Sequence, residues 1–191
     1  MKSLLMRLAI LMLLSHGFTF LNQAEGKVPA RAVSAELRPS PEMQRLLNAF
    51  EGKWAVQETF ETSSSRQGKS RHGVATFRQG PGFSLIEDYK SSGSAGPLNF
   101  LALLWWDQSA QVYRLLTCAN NDGCELRGTA KWEGNSLVNS WQEKVEGKMA
   151  TFKDSFVELS PSSFRLTSKG SVDGKKIWYV ITRYTRLDGK K

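Results

Sequence analysis

The sequence predicts an all-β protein of about ten short antiparallel strands behind one short helix, and three observations carry that expectation. Strand-length runs recur about every 8 to 14 residues from Gly52 onward. They are separated by turn chemistry: Gly80-Pro81-Gly82, Glu133-Gly134-Asn135, Glu146-Gly147, Ser160-Pro161-Ser162 and Asp173-Gly174. No second helical period interrupts them, which argues against a parallel sheet built through crossover helices. Ten such strands suit a sandwich or a closed barrel. At 191 residues, 40% hydrophobic and 23% charged, the chain is too apolar and too mixed in charge for a disordered protein. A solenoid or propeller is excluded because no internal repeat of the required period is present.

The elements follow in order. Met1–Ala24 reads as a secretory signal, with Lys2 and Arg7 at its positive end and Leu8–Leu14 as its short apolar core. His16 and Gly17 break that core before it reaches the roughly 20 apolar residues of a membrane span. Ala24 and Ala35 both stand at small-residue positions compatible with cleavage, and no Cys is placed for lipid attachment. Loss of residues 1–24 removes two bases and no acids, taking the formal charge from +8 to +6. Residues 25–40 have no period and read as a linker, leaving residues 41–191 for the barrel domain. Ser40-Pro41-Glu42 is a helix start, with a capping hydroxyl, a proline in the first turn and an acid beside it. Met43, Leu46, Leu47 and Phe50 share one helical face, and Gly52 ends the helix. Strands are expected near 53–61, 70–79, 83–91, 98–106, 111–118, 124–132, 136–144, 149–159, 163–171 and 176–187. The run Leu98–Trp106 is apolar on both faces, and the helix is expected to cover it from outside; an exposed binding patch is the alternative.

Cys118 and Cys124 bracket Ala119–Gly123, a turn between two strand-like runs, so they can face each other across a hairpin. A disulfide is expected there in an oxidising compartment, and its short loop limits its worth to about 2 kcal/mol. A metal site is not expected, because His72 is the one histidine after the signal and a single Cys pair offers too few ligands.

The junction Phe50-Glu51-Gly52-Lys53-Trp54 and the last strand's Tyr184-Thr185-Arg186 carry a resemblance to the lipocalin-like, or calycin, barrels. Trp106-Asp107 after the fourth strand and the Leu46-Leu47 pair in the helix add to it, and the order of features is similar to that of an uncharacterised bacterial lipocalin-like family. The resemblance spans about residues 41–187 and implies an antiparallel up-and-down barrel of about 8–10 strands. It also implies that Trp54 plugs one end while Arg186 or Arg183 packs across it, both in structural roles. The strand count leans toward the fatty-acid-binding or nitrobindin-like branch. Haem binding of the nitrobindin kind would require His72 as axial ligand; Arg71 and Gly73 flank it near an expected loop, and no cofactor is expected.

Alternation decides what faces inward. Glu58 shares a face with Trp54, Val56 and Phe60; Glu87 shares one with Phe83, Leu85 and Tyr89. Cys124, Leu126, Gly128, Ala130 and Trp132 form a clean small-or-apolar face. With Cys118 opposite Cys124, Leu116 falls opposite Leu126 and Arg114 opposite Gly128, so Arg114 is expected to point into the lumen and anchor an acidic head group. A bulge that reverses one strand's facing is the competing arrangement. Enzyme signatures such as a nucleophile elbow or phosphate loop are absent. The expected function is therefore an exported protein, periplasmic or extracellular, that sequesters an apolar or amphipathic small molecule, an acidic one included. A barrel enzyme using an inward carboxylate, and a filled barrel contacting anionic surfaces through Arg66–His72, are the alternatives. No specific nucleic-acid partner is expected.

Overall fold

The computed structural model describes residues 38–63, 66–120, 123–187 and 189. The signal and nearly all of the linker lie outside those residues. Helix α1 spans Pro41–Phe50. It is followed by β1 (Gly52–Ser63), β2 (Ser70–Gln79), β3 (Leu85–Ser92), β4 (Leu98–Asp107), β5 (Val112–Ala119), β6 (Gly123–Glu133), β7 (Ser136–Val145), β8 (Lys148–Val157), β9 (Ser163–Val172) and β10 (Lys175–Arg186). Each strand pairs antiparallel with its neighbours in sequence, and β1 pairs with β10 to close the barrel. The all-β barrel expectation holds, and the expected strand positions agree with the observed ones to within about two residues.

The closing seam has Trp54 directly opposite Arg186. Trp54 is fully buried, and its indole Nε1 donates to the Phe50 carbonyl at 2.8 Å. The Arg186 guanidinium lies 4.1 Å from the Trp54 ring and donates to the carbonyls of Glu51 (3.0 Å) and Pro161 (2.5 Å). One cation thus ties the helix end, the first strand and the β8–β9 turn to a single aromatic face.

Ser40 caps α1 by accepting from the Met43 N–H, as the sequence pattern requires. The helix is too short to persist alone, so its apolar face must be covered. Met43, Leu46, Leu47 and Phe50 are all buried, each worth about 1.5–3 kcal/mol when fully withdrawn from water. They do not cover the outside of β4 as expected. Phe50 packs against Phe77 of β2, Trp132 of β6, Phe156 of β8 and Phe164 of β9, the last two edge-on, rings drawn from across the barrel, so α1 plugs one end. The reason is aromatic volume: that end presents large inward rings from most strands, and the helix face fills the space between them. The outer face of β4 is left with Leu101 at 41% exposure.

Cys118 and Cys124 are directly paired across the β5–β6 hairpin and form a disulfide. Beyond it, the β5–β6 register slips between Arg114 and Leu116, where Gly128 takes φ +60. A Cβ at Gly128 would meet the Ser140 carbonyl oxygen at 2.1 Å, so both the dihedral and the close approach demand glycine. The β6–β7 ladder runs only from Thr129–Ser140 to Glu133–Ser136.

Candidate functional site

The end opposite α1 is open, and behind it lies a cavity of about 1330 Å³ lined from the turns inward to the plug. Apolar walls come from Phe100, Ala102, Leu104 and Leu115 on one side and Trp141, Phe152 and Leu166 on the other. Trp141 and Phe152 stack at 5.2 Å. A space of this size is incompatible with a filled-barrel scaffold and large enough for a drug-sized ligand.

Polar groups interrupt those walls in two layers. The first is a network around Glu58 of β1. Arg71 Nη1 donates to Glu58 Oε1 at 2.7 Å, and the Tyr89 hydroxyl donates to Glu58 Oε2 at 3.0 Å. The same guanidinium donates through Nε to the Gly96 carbonyl (2.9 Å) and through Nη2 to that of Ala95 (3.4 Å), pinning the β3–β4 turn to the wall. Both side chains of this ion pair are more than nine-tenths buried.

The second layer lies toward the plug. Glu87 of β3 lines the narrow space above Phe50 with Phe77, Leu85, Leu104, Leu137 and Phe156. Asn139 of β7 and Asp154 of β8 are direct cross-strand partners, each two residues from one of those lining side chains. Burial raises the Glu87 carboxyl to about 8, the Tyr184 hydrogen bond opposing this and the charge of Asp154 adding to it. Burial likewise raises Asp154 to about 6, against a Ser168 hydrogen bond and the attraction of Arg127. Glu87 Oε1, Asp154 Oδ1 and both amide atoms of Asn139 are buried without a hydrogen-bond partner.

The facing rule places most of the expected lumen set and fails at definable points. Glu58, Glu87, Tyr89 and Leu85 point inward, and Phe60 does too, packed with Val180 and Trp178 at the mouth beneath Arg71. Phe83 does not continue β3: it ends a 3-10 turn with φ 63 and does not line the cavity. Arg114, Leu116 and Leu126 face outward, correcting the expected positive anchor. Arg114 donates to Asp107 Oδ2 at 3.0 Å on the surface, and Leu126 is 70% exposed. The bulge at Gly128 is the cause: Leu115, Thr117 and Arg127 line the cavity below it, whereas Ala130 lines it above. Thus Cys124 and Leu126 do not share a face with Ala130 and Trp132. Asp107 accepts from Ser109 and Ala110 in the β4–β5 turn, and those bonds, Ser109 first, hold its carboxyl down at about 2.

Sequence reasoning missed Arg71, Asn139 and Asp154. Arg71 falls in the Arg66–His72 stretch named above as a contact for anionic surfaces, yet it begins the inward series Arg71-Gly73-Ala75-Phe77, which period-two alternation displays. Asp154 likewise stands between Phe152 and Phe156 on one face. His72 is exposed on the opposite face from Arg71. Among the described residues no group of three His, Cys, Asp or Glu side chains is arranged to hold a metal ion.

Topology and lumen together define a closed, ten-stranded, antiparallel calycin-like barrel with an internal cavity open at one end. No family model matches the chain, and no curated protein matches it in sequence. Solved structures with a similar fold include an S-type phycobiliprotein lyase from Guillardia theta. It is 11% identical over 77% of this chain and 93% of its own, with a TM-score of 0.52. A redesigned β-barrel bound to DFHBI (16% identity, 77% and 100% coverage, TM-score 0.42) and a de novo designed fluorescence-activating barrel (18%, 73% and 94%, 0.40) are also similar. At these identities the likeness concerns the fold.

Proposed function

We propose that the protein binds and sequesters an apolar or amphipathic small molecule in the barrel lumen. The observation that carries this is the 1330 Å³ cavity itself: one end is sealed by α1, the walls are mostly apolar, and a few polar groups converge inside. A core that needed only stability would fill such a space, since interiors pack to near-crystalline density. Export from the cytoplasm is part of the same proposal: the basic start and apolar Leu8–Leu14 have the form of a secretory leader, and the Cys118–Cys124 disulfide suits an oxidising compartment. The Gly52-x-Trp54 start and Tyr184-Thr185-Arg186 end support placement in the bacterial lipocalin-like family that they resemble.

Native mass spectrometry of protein purified from its own host tests the proposal, with solvent extraction of whatever it retains. A one-to-one adduct of small-molecule mass is expected, on a chain that lacks its first 24 or 35 residues. Retention of nothing, together with no fluorescence change when Nile red is added to the delipidated protein, would remove the binding function. A second reading, a barrel enzyme, rests on Glu87 alone, whose carboxyl titrates at about 8 and is thus poised to exchange a proton near neutral pH. Recovery of the extracted molecule chemically unchanged after incubation with fresh protein would count against that role.

A further inference from the structure

The lumen holds three carboxyl groups, Glu58, Glu87 and Asp154, and their surroundings differ. Glu58 is satisfied by Arg71 and Tyr89. Glu87 and Asp154 each keep an oxygen with no partner, and Asn139 adds an unpartnered carbonyl oxygen beside Asp154. These atoms are buried on β3, β7 and β8, and the side chains that carry them line the cavity. Buried polar atoms are rarely left orphaned in a folded protein, so three unmet acceptors against one unmet donor, the Asn139 amide nitrogen, describe the complement of a ligand that mainly donates.

Resting on the lumen-binding reading, we infer that the deep end of the cavity receives a nitrogen head group bearing N–H donors, such as an ammonium, on an otherwise apolar molecule. A carboxylate head is disfavoured there. It would bring a fourth acid into a chamber whose one fully buried base, Arg71, is already committed to Glu58 and to the carbonyls of Ala95 and Gly96. Of the other guanidiniums lining the cavity, Arg127 sits half-buried on the wall and is engaged with Glu125, and Arg66 lies over the Phe60 ring toward the mouth. Lys148, Lys169, Lys175 and Lys176 line the cavity's entrance, where water and salt screen them. Glu143, Glu146 and Asp173 share that entrance, Asp173 paired with Lys148 at 3.2 Å, so the rim is of mixed charge and anchors no anion inside. Charged hydrogen bonds made away from water outweigh such screened attractions, so the floor rather than the rim sets the head-group preference.

Isothermal titration with dodecylamine and with dodecanoate, both below their micelle concentrations at pH 9, where Glu87 and Asp154 are both ionised and the amine is still an ammonium, separates the possibilities. The wild-type protein is expected to bind the amine at least about tenfold more tightly. Glu87→Gln/Asp154→Asn should bring the two affinities within about threefold, and Glu87→Gln alone should narrow the gap if the double variant folds poorly. Arg114→Ala, on the outer surface, should leave the ratio unchanged. Preference for dodecanoate, a wild-type ratio below three, or a ratio insensitive to both floor variants overturns the head-group inference alone. Failure of the folded protein to bind either probe overturns it together with the lumen-binding reading.

Discussion

The two ends of the barrel are made of the same ten strands and solve opposite problems. At the plugged end, Phe50, Trp54, Phe77, Phe156, Phe164 and Tyr184 interlock with centroid separations from 4.2 to 6.2 Å, and the polar atoms present are satisfied: Trp132 Nε1 donates to the Tyr113 hydroxyl, which donates to the Glu42 carbonyl. Beyond that layer the lumen leaves buried acceptors unmet and its walls unfilled. Stability is thus concentrated where the helix seals the barrel, and the polar cost of a site is tolerated only above that seal.

The sharpest way to break this division is to damage the plug. Trp54→Ala removes a fully buried indole together with its T-shaped contact to Phe164 at 4.7 Å and the platform for Arg186. A loss of about 3–5 kcal/mol is expected in urea unfolding.

The lumen is probed next by pH. The raised carboxyl of Glu87 means the folded state holds a proton that the unfolded state releases near 4.5. Folding is therefore favoured at low pH, and that advantage is lost as pH rises through about 8; Asp154 adds the same sign between 3.8 and about 6. The groups facing Glu87 electrostatically are Asp154, Tyr184 and Tyr89, and Glu58 acts on the two tyrosines. The melting temperature of the ligand-free protein should fall between pH 5 and pH 9, by an amount on the order of a few kcal/mol in stability. Glu87→Gln should flatten most of that slope; an equally steep slope in the variant would show that Glu87 is not responsible.

Gly128→Ala tests the bulge that separates the mouth half of β6 from its plugged half. The φ of +60 and the 2.1 Å approach to the Ser140 carbonyl should make it cost about 1–3 kcal/mol by chemical denaturation. The smallest effect is reserved for the outer wall. Arg114→Ala breaks an exposed pair with Asp107 and should cost under about 1 kcal/mol, with Nile red binding unchanged.

The fold was legible because its signals are local. Each turn is written in Gly, Pro, Asn or Asp, and Gly-x-Trp with a terminal-strand Arg marks the seam without reference to the strands between. The site was legible only along strands that keep strict alternation. On β1 and β3 the rule delivered Glu58, Glu87 and Tyr89. On β6 it failed because Gly128 satisfies two patterns at once: it completes a small-or-apolar alternation and it also supplies the left-handed residue of a bulge. That one residue reverses the facing of β6, so Leu126 lies outside with its β5 partner Leu116, and Arg114 lies outside with them, rather than sharing the inward face of Ala130. Asn139 and Asp154 were written as polar breaks in apolar inward series, yet only the closed barrel shows that they oppose each other and leave their acceptors unmet.

The seam between β1 and β10 also bears on how quickly the barrel forms. Every other pairing joins strands adjacent in sequence, so loop closure is short throughout; the seam alone joins residues such as Lys53 and Leu187, whose backbones meet at 2.8 Å. The entropy of closing the long loop is concentrated in that single step. Because strand order around the barrel repeats strand order along the chain, a circular permutant opened at Glu146-Gly147 can keep every native ladder. Its linker would need only to run back from Leu187 along the ten-residue helix, about 15 Å. Such a permutant moves the long-range step to a different pair of strands, which makes the choice of seam a control on folding rate separate from the contacts that set stability.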